Sequence, residues 1–182
     1  MAPRDKYSVE LGYLGCKYLE LKIDAKGKSP LRDLSLFLRF YSILKKERPS
    51  ALLTYTIKPT IYGSLAANVL GIPVVNNIAG LGTIFVQDNL LTFLVKFLYK
   101  VALRKSHKIF FQNSHDYDEL KLNAIITDQN CAVLPGSGVD LNYFNKGKYQ
   151  HEMMEKESLY ECRIRGKFTF LMVARLLWEK GV

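Results

Sequence analysis

Three loops and one helix hold the residues whose types and spacing suit chemistry on anions. TIKPT (56–60) sets Lys58 just after the apolar run ALLTYT, and AGLGT (79–83) sets Gly80, Gly82 and Thr83 just after Val74–Ile78. Backbone N–H groups in glycine-bearing turns and at helix starts form concave anion sites, and a nearby ammonium adds charge. A solvated lysine and a plain turn are the ordinary alternative. A further turn, PGSGVD (135–140), follows the run CAVL. Its glycines permit positive φ or close backbone approach, and Asp140 either lines a cleft or caps the turn. Lys96, Lys100 and Arg104 recur at i, i+4 and i+8 and share one helix face, with Leu91, Leu94, Val95 and Leu98 on the other side. No acidic residue occurs between Asp88 and Asp116. A basic amphipathic helix of this kind can lie on an anionic bilayer. It is equally what covers a sheet while its lysines stay solvated.

Other reactive types are scattered. His107, His115 and His151 have no metal-ligand spacing, and Cys16, Cys131 and Cys162 form neither a disulfide framework nor a zinc motif. This cysteine usage fits a reducing, cytoplasmic setting. No acid–base pair or activated nucleophile can be assembled from the residues present. Hydrophobic residues at 48% and charged residues at 24% mark a folded chain rather than a disordered one. No apolar run is long enough to span a bilayer, and the first residues, MAPRDK, have no apolar signal core. The net charge of +9 favours anionic partners.

The elements that must position these residues alternate. YLELKI (Tyr18–Ile23) reads as a strand. Ser29–Glu47 reads as a helix, with Leu31, Leu34, Leu38, Tyr41 and Leu44 at spacings of three and four, a Ser-Pro start and Pro49 as its stop. Ala51–Thr56 is a buried strand, Thr60–Leu70 a small-residue helix closed by Gly71, and Val74–Ile78 a strand. Leu90–Lys105 is a helix and Lys108–Gln112 a strand. Ser114–Leu122 is a helix capped by Ser114, and Cys131–Leu134 a strand. Residues 145–166 read as a charged linker, and Phe168–Ala174 as a last apolar strand. Such alternation predicts a Rossmann-like α/β fold, a parallel sheet covered on both faces, with ligands at the carboxyl ends of its strands. No opening βα unit is evident, and the last strand would need a sheet of its own. The expectation is a chain cropped at both ends.

In order along the chain, RPSALLTYTIKPTIYGSLAANVLGIPVV (48–75), NIAGLGTIF (77–85), FFQNSHD (110–116), VLPGSGVDLNYF (133–144) and FLMVARLLWEKGV (170–182) resemble the retaining glycosyltransferases of family 4. The likeness is strongest to bacterial enzymes that build capsule, O-antigen, lipopolysaccharide or exopolysaccharide units on a polyprenyl-diphosphate lipid; the first 47 residues match loosely. The resemblance implies a GT-B fold, with residues 1–144 as the acceptor-side domain lacking its opening unit, 145–166 as linker, and 167–182 as the first strand of a nucleotide-sugar domain. It implies that Arg175 and Lys180 neutralise the donor diphosphate. Gly138, Val139 and Asp140 would face the interdomain cleft, although Ser137 stands where the family has Asn. Lys58, Gly80, Gly82 and Thr83 would serve the acceptor, and Lys96, Lys100 and Arg104 would face a membrane. The donor would be a nucleotide sugar, a uridine diphosphate sugar, used as substrate with no metal or other cofactor. The chain would work in the cytoplasm, peripherally at the inner membrane, and would turn over little by itself.

A second reading keeps the fold without catalysis, as a binding or vestigial module. A nucleic-acid module fits the charge but has no RNP-type or helix-turn-helix signature. An oxidoreductase would need a GxGxxG turn after a first strand.

Overall fold

The computed structural model describes residues 1–5, 7–24, 29–82 and 90–144. Thr83, His151, Cys162, Arg175, Lys180, the linker and the strand expected at Phe168–Ala174 lie outside the described residues. The chain divides into two units, Met1–Gly136 and Ser137–Val182, earlier than the boundary at 144 that the sequence suggests.

The first unit runs α1 (Glu10–Tyr13), α2 (Pro30–Glu47), β1 (Leu52–Tyr55), a π-helical turn (Pro59–Gly63), α3 (Ser64–Leu70), β2 (Val74–Ile78), α4 (Leu90–Leu103), β3 (Lys108–Phe111), α5 (Ser114–Leu122), a 3₁₀ turn (Asp128–Asn130) and β4 (Cys131–Val133). The four strands form one parallel sheet in the order β1-β2-β3-β4, with Leu52 opposite Val74, Val75 opposite Lys108, and Ile109 opposite Cys131. The Rossmann-like α/β expectation is met in this sheet.

Its coverage differs from the expectation. Strand order advances in one direction, and right-handed crossovers then put every connecting helix on the same face. That face carries Leu52, Val74, Ile78, Ile109 and Phe111, which pack into two clusters with Leu36, Phe40 and Leu44 of α2, Ala66 and Ala67 of α3, Val95, Tyr99 and Leu103 of α4, and Leu120 of α5. On the other face Leu53 is 63% and Tyr55 57% exposed. Covering both faces needs a reversal of strand order, which the described strands do not make.

The alternation in YLELKI is present, but the strand is not. Leu21 is buried in the α2 cluster, yet the segment makes a single bridge, Glu20 to Ala2. Period two reports which side chains face inward; a strand also needs a partner ladder. Helix starts and stops follow the punctuation. Pro30 opens α2 after Ser29, whose side chain makes no cap bond, and Arg48 closes it in the left-handed region before Pro49. Gly71 ends α3 at φ 68°. The cap of α5 is Asn113 rather than Ser114: its Oδ1 accepts the Asp116 N–H at 2.8 Å.

One buried polar knot fixes the strands laterally. Asn76 Oδ1 accepts the hydroxyls of Thr54 and Ser64, and its Nδ2 donates to Ser106 Oγ at 2.7 Å. With Thr54 donating to Asn76, the Thr60 hydroxyl donates to Thr54 at 3.2 Å. The amide thereby joins β1, α3, β2 and the turn between α4 and β3. Each of these groups would cost a kcal/mol or more if buried unpaired.

Candidate functional site

Because all four strands are parallel, the loops after β1, β2, β3 and β4 leave the same edge. The first two touch. Gly82 has φ 68°, a conformation that calls for glycine, and a β-carbon there would sit 3.2 Å from Ile57 Cδ1, close enough that the isoleucine tip would have to give by a few tenths of an ångström. This brings the loop after β1 and the described part of the loop after β2 together through Ile57 and Gly82. The β1 exit is also unusual in its backbone. Thr56 adopts φ 67° and the chain then enters the π-helical turn through Thr60 N–H donating to Thr56 O at 3.0 Å. A left-handed β-branched residue beside a π-turn is a costly arrangement of the sort that gathers at functional sites.

Lys58 stands in this loop, mostly buried. Its Nζ lies 2.6 Å from Asp33 Oδ1, with side chains only 14% and 20% exposed. Asp33 also bonds Tyr62, whose phenol is pushed well up from its ordinary value by burial first and by Asp33 second. Tyr62 therefore stays a neutral hydrogen-bonding group. Around the pair lies a hollow of about 590 Å³ whose wall includes Arg4, Lys22, Arg32, Arg39 and Lys58 against Glu20, Asp24 and Asp33. Two of the five cations are paired within the wall, Lys58 with Asp33 and Arg32 with Asp24 at 2.7 Å, and against three carboxylates the lining stays net positive, which favours anions. Lys58 and Gly82 were legible from the sequence. Asp33 and Tyr62 were not, since a first-turn Asp and a helical Tyr carry no motif.

Asn77, at the end of β2, was likewise missed. It is 9% exposed, and its Oδ1 is buried without a hydrogen-bond partner among the described residues. An orphan acceptor at the ligand-binding edge of a parallel sheet suits a hydroxyl donor such as a sugar. Gly80 is exposed in the same loop.

The remaining expected residues fall elsewhere. Gly138, Val139 and Asp140 belong to the second unit, where Gly138 has φ 73°. Asp140 Oδ1 accepts the N–H groups of Asn142 at 2.9 Å and Tyr143 at 3.1 Å, so its carboxylate caps its own turn. On α4, Lys100 and Arg104 are exposed, whereas Lys96 Nζ donates to Asn123 Oδ1 at 2.9 Å. The open side of α4 is more apolar than the sequence suggests: Leu90, Phe93, Leu94, Phe97 and Val101 are all exposed, while Thr92, Val95, Tyr99 and Ala102 are buried. His107 and His115 are exposed. Burial first, and Asp128 second, push the Cys131 thiol up, away from a reactive thiolate. Among the described residues there is no cluster of three metal-ligating side chains, and no helix is long and apolar enough to cross a membrane.

Sheet, edge loops and hollow together define an α/β domain with a net positive recess beside its carboxyl edge. The chain belongs to the family described as Glycosyl transferase 4-like, which matches residues 3–113. It is 27% identical over 188 residues to the N,N'-diacetylbacillosaminyl-diphospho-undecaprenol alpha-1,3-N-acetylgalactosaminyltransferase of Campylobacter jejuni, covering all of this chain and 49% of the relative. It is 26% identical over 158 residues to the UDP-Gal:alpha-D-GlcNAc-diphosphoundecaprenol alpha-1,3-galactosyltransferase of Escherichia coli, covering 84% of this chain and 39% of the relative. The chain thus spans about half or less of the curated relatives it matches. Among solved structures it is similar to Acinetobacter baumannii MurG, with TM-score 0.47 and 15% identity over 77% of this chain and 36% of that one. It is also similar to a Rickettsia bellii UDP-N-acetylglucosamine 2-epimerase, with TM-score 0.47 and 16% identity over 91% and 40%.

Proposed function

We propose that this chain is the acceptor-side part of a GT-B glycosyltransferase that moves a hexose or N-acetylhexosamine from a nucleotide sugar to a saccharide on a polyprenyl-diphosphate lipid. The observation that carries it is the approach of Gly82 to Ile57, the residue before Lys58, at the carboxyl edge, with Lys58 itself on the wall of a hollow that carries more cations than carboxylates. Both curated relatives are named for diphospho-undecaprenol acceptors, which are anions of this kind. Arg175 and Lys180 serve the donor diphosphate, and Gly138, Val139 and Asp140 border the cleft where transfer takes place. Gly80 and Gly82 present backbone N–H groups to the acceptor, Thr83 serves it too, and the Oδ1 of Asn77 accepts one of its sugar hydroxyls. The protein works in the cytoplasm, held to the inner face of the membrane through α4.

The test is calorimetric titration of the purified chain with a farnesyl-diphosphate-linked N-acetylhexosamine. Saturable binding is expected, with Lys58→Ala weakening it about ten-fold, the loss of one good charge-assisted contact. Equal binding by the variant, or none by the unaltered chain, contradicts the assignment.

A further inference from the structure

Next to the basic hollow lies a second recess of about 520 Å³ with a different character. Leu34 and Phe37 of α2, Leu65 and Val69 of α3, and Leu91 and Leu94 of α4 form its walls. Leu34, Val69 and Leu94 are 55%, 67% and 48% exposed, so the recess opens to solvent. Its volume is in the range of about 300–1,000 Å³ typical of sites for small organic ligands. Among the described residues the two recesses share Asp33 and Lys58. A ligand lying across that pair would have a charged end among arginines and lysines and an apolar end among leucines.

Resting on the acceptor reading above, the geometry points to a binding groove for the isoprenoid chain of the acceptor: the isoprene units nearest the diphosphate lie between α2, α3 and α4, and the diphosphate lies past Lys58 in the basic hollow. The argument is one of charge and polarity matched along a single molecule. A free polyanion would leave the groove empty, and a flat bilayer surface would meet protruding side chains rather than a recess between three helices. Such protruding side chains exist on α4 itself, at Leu90, Phe93 and Phe97. They would set the groove against the lipid surface from which the chain must be drawn. Asp33 positions the Lys58 ammonium at the boundary between the two recesses.

The experiment is photolabelling of the purified chain with a benzophenone-bearing farnesyl diphosphate, with adducts mapped by peptide mass spectrometry. Expected are adducts at Leu34, Val69 or Leu94, suppressed by excess farnesyl diphosphate and reduced at least about ten-fold in both Leu94→Glu and Val69→Glu. Val69 is largely exposed and Leu94 about half, and circular dichroism checks that the variants fold. Adducts outside the groove, undiminished labelling in both folded variants, or equal suppression by phosphatidylglycerol vesicles would overturn the proposal, the last by showing a bilayer contact. Adducts elsewhere that a farnesyl-diphosphate sugar still suppresses would remove the groove and leave the acceptor reading standing. Labelling that no isoprenoid diphosphate suppresses would remove both.

Discussion

Asn76 and Asn77 are neighbours in VVNNI with opposite fates. Asn76 has its side chain fully engaged by Thr54, Ser64 and Ser106, while Asn77 keeps a buried oxygen unpaired among the described residues. Asn76→Ala would orphan several buried hydroxyls and cost about 3 kcal/mol, read as a lowered urea midpoint. Asn77→Ala should cost little stability while weakening acceptor-sugar binding, because the oxygen it removes has no partner to lose. Nothing in the sequence separates the two, since alternation assigns opposite faces but not hydrogen-bond partners. Tyr62 and Tyr99 add a pH dependence. Burial foremost, with Asp33 and Asp116 respectively, raises both phenols above their ordinary value of 10.0. The folded chain then keeps protons that the unfolded chain releases, so this contribution is intact below about pH 10 and stability falls as pH climbs past it. Melting temperature should therefore decline above about pH 10, less steeply in Tyr62→Phe than in the unaltered chain.

At the scale of elements, α4 shows what periodicity conveys and what it omits. The spacing of Lys96, Lys100 and Arg104 was legible, but a helix pattern does not say which polar side chain finds a local partner, and Lys96 is held by Asn123. Nor does it show that Phe93 and Phe97 turn outward, because an aromatic residue on an amphipathic helix is more often core. Flotation with phosphatidylglycerol vesicles should find Lys100→Ala and Arg104→Ala each weaker by about five-fold at low salt. Phe93→Ser with Phe97→Ser should weaken flotation at every salt concentration, and Lys96→Ala should matter least. The loop between β1 and the π-turn makes the complementary point. TIKPT announced a lysine after a strand, whereas the left-handed Thr56 and the Asp33 partner come from tertiary packing. Gly82→Ala should distort this loop through its φ and its approach to Ile57, and weaken acceptor binding more than it weakens the fold.

Across the whole molecule, the strand–helix alternation foretold a parallel sheet, and the sheet is there. The alternation does not fix strand order, and a one-way order gathers the helices on one face. YLELKI shows the same gap at an edge: its inward residues pack under α2, but no ladder forms. Charge was legible as a total of +9 but not as a place; folding sets Arg4, Lys22, Arg32, Arg39 and Lys58 around one hollow although they are spread over more than fifty residues of sequence. The central proposal is that this chain recognises a polyprenyl-diphosphate-linked acceptor. Its most direct test replaces the matched half of the Campylobacter relative with this chain and follows labelled sugar from a uridine diphosphate sugar onto lipid-linked saccharides. Transfer to a diphosphate-lipid acceptor, reduced at least about ten-fold by Lys58→Ala, is the predicted result. A folded hybrid that transfers equally well to free saccharides lacking the lipid diphosphate would contradict it.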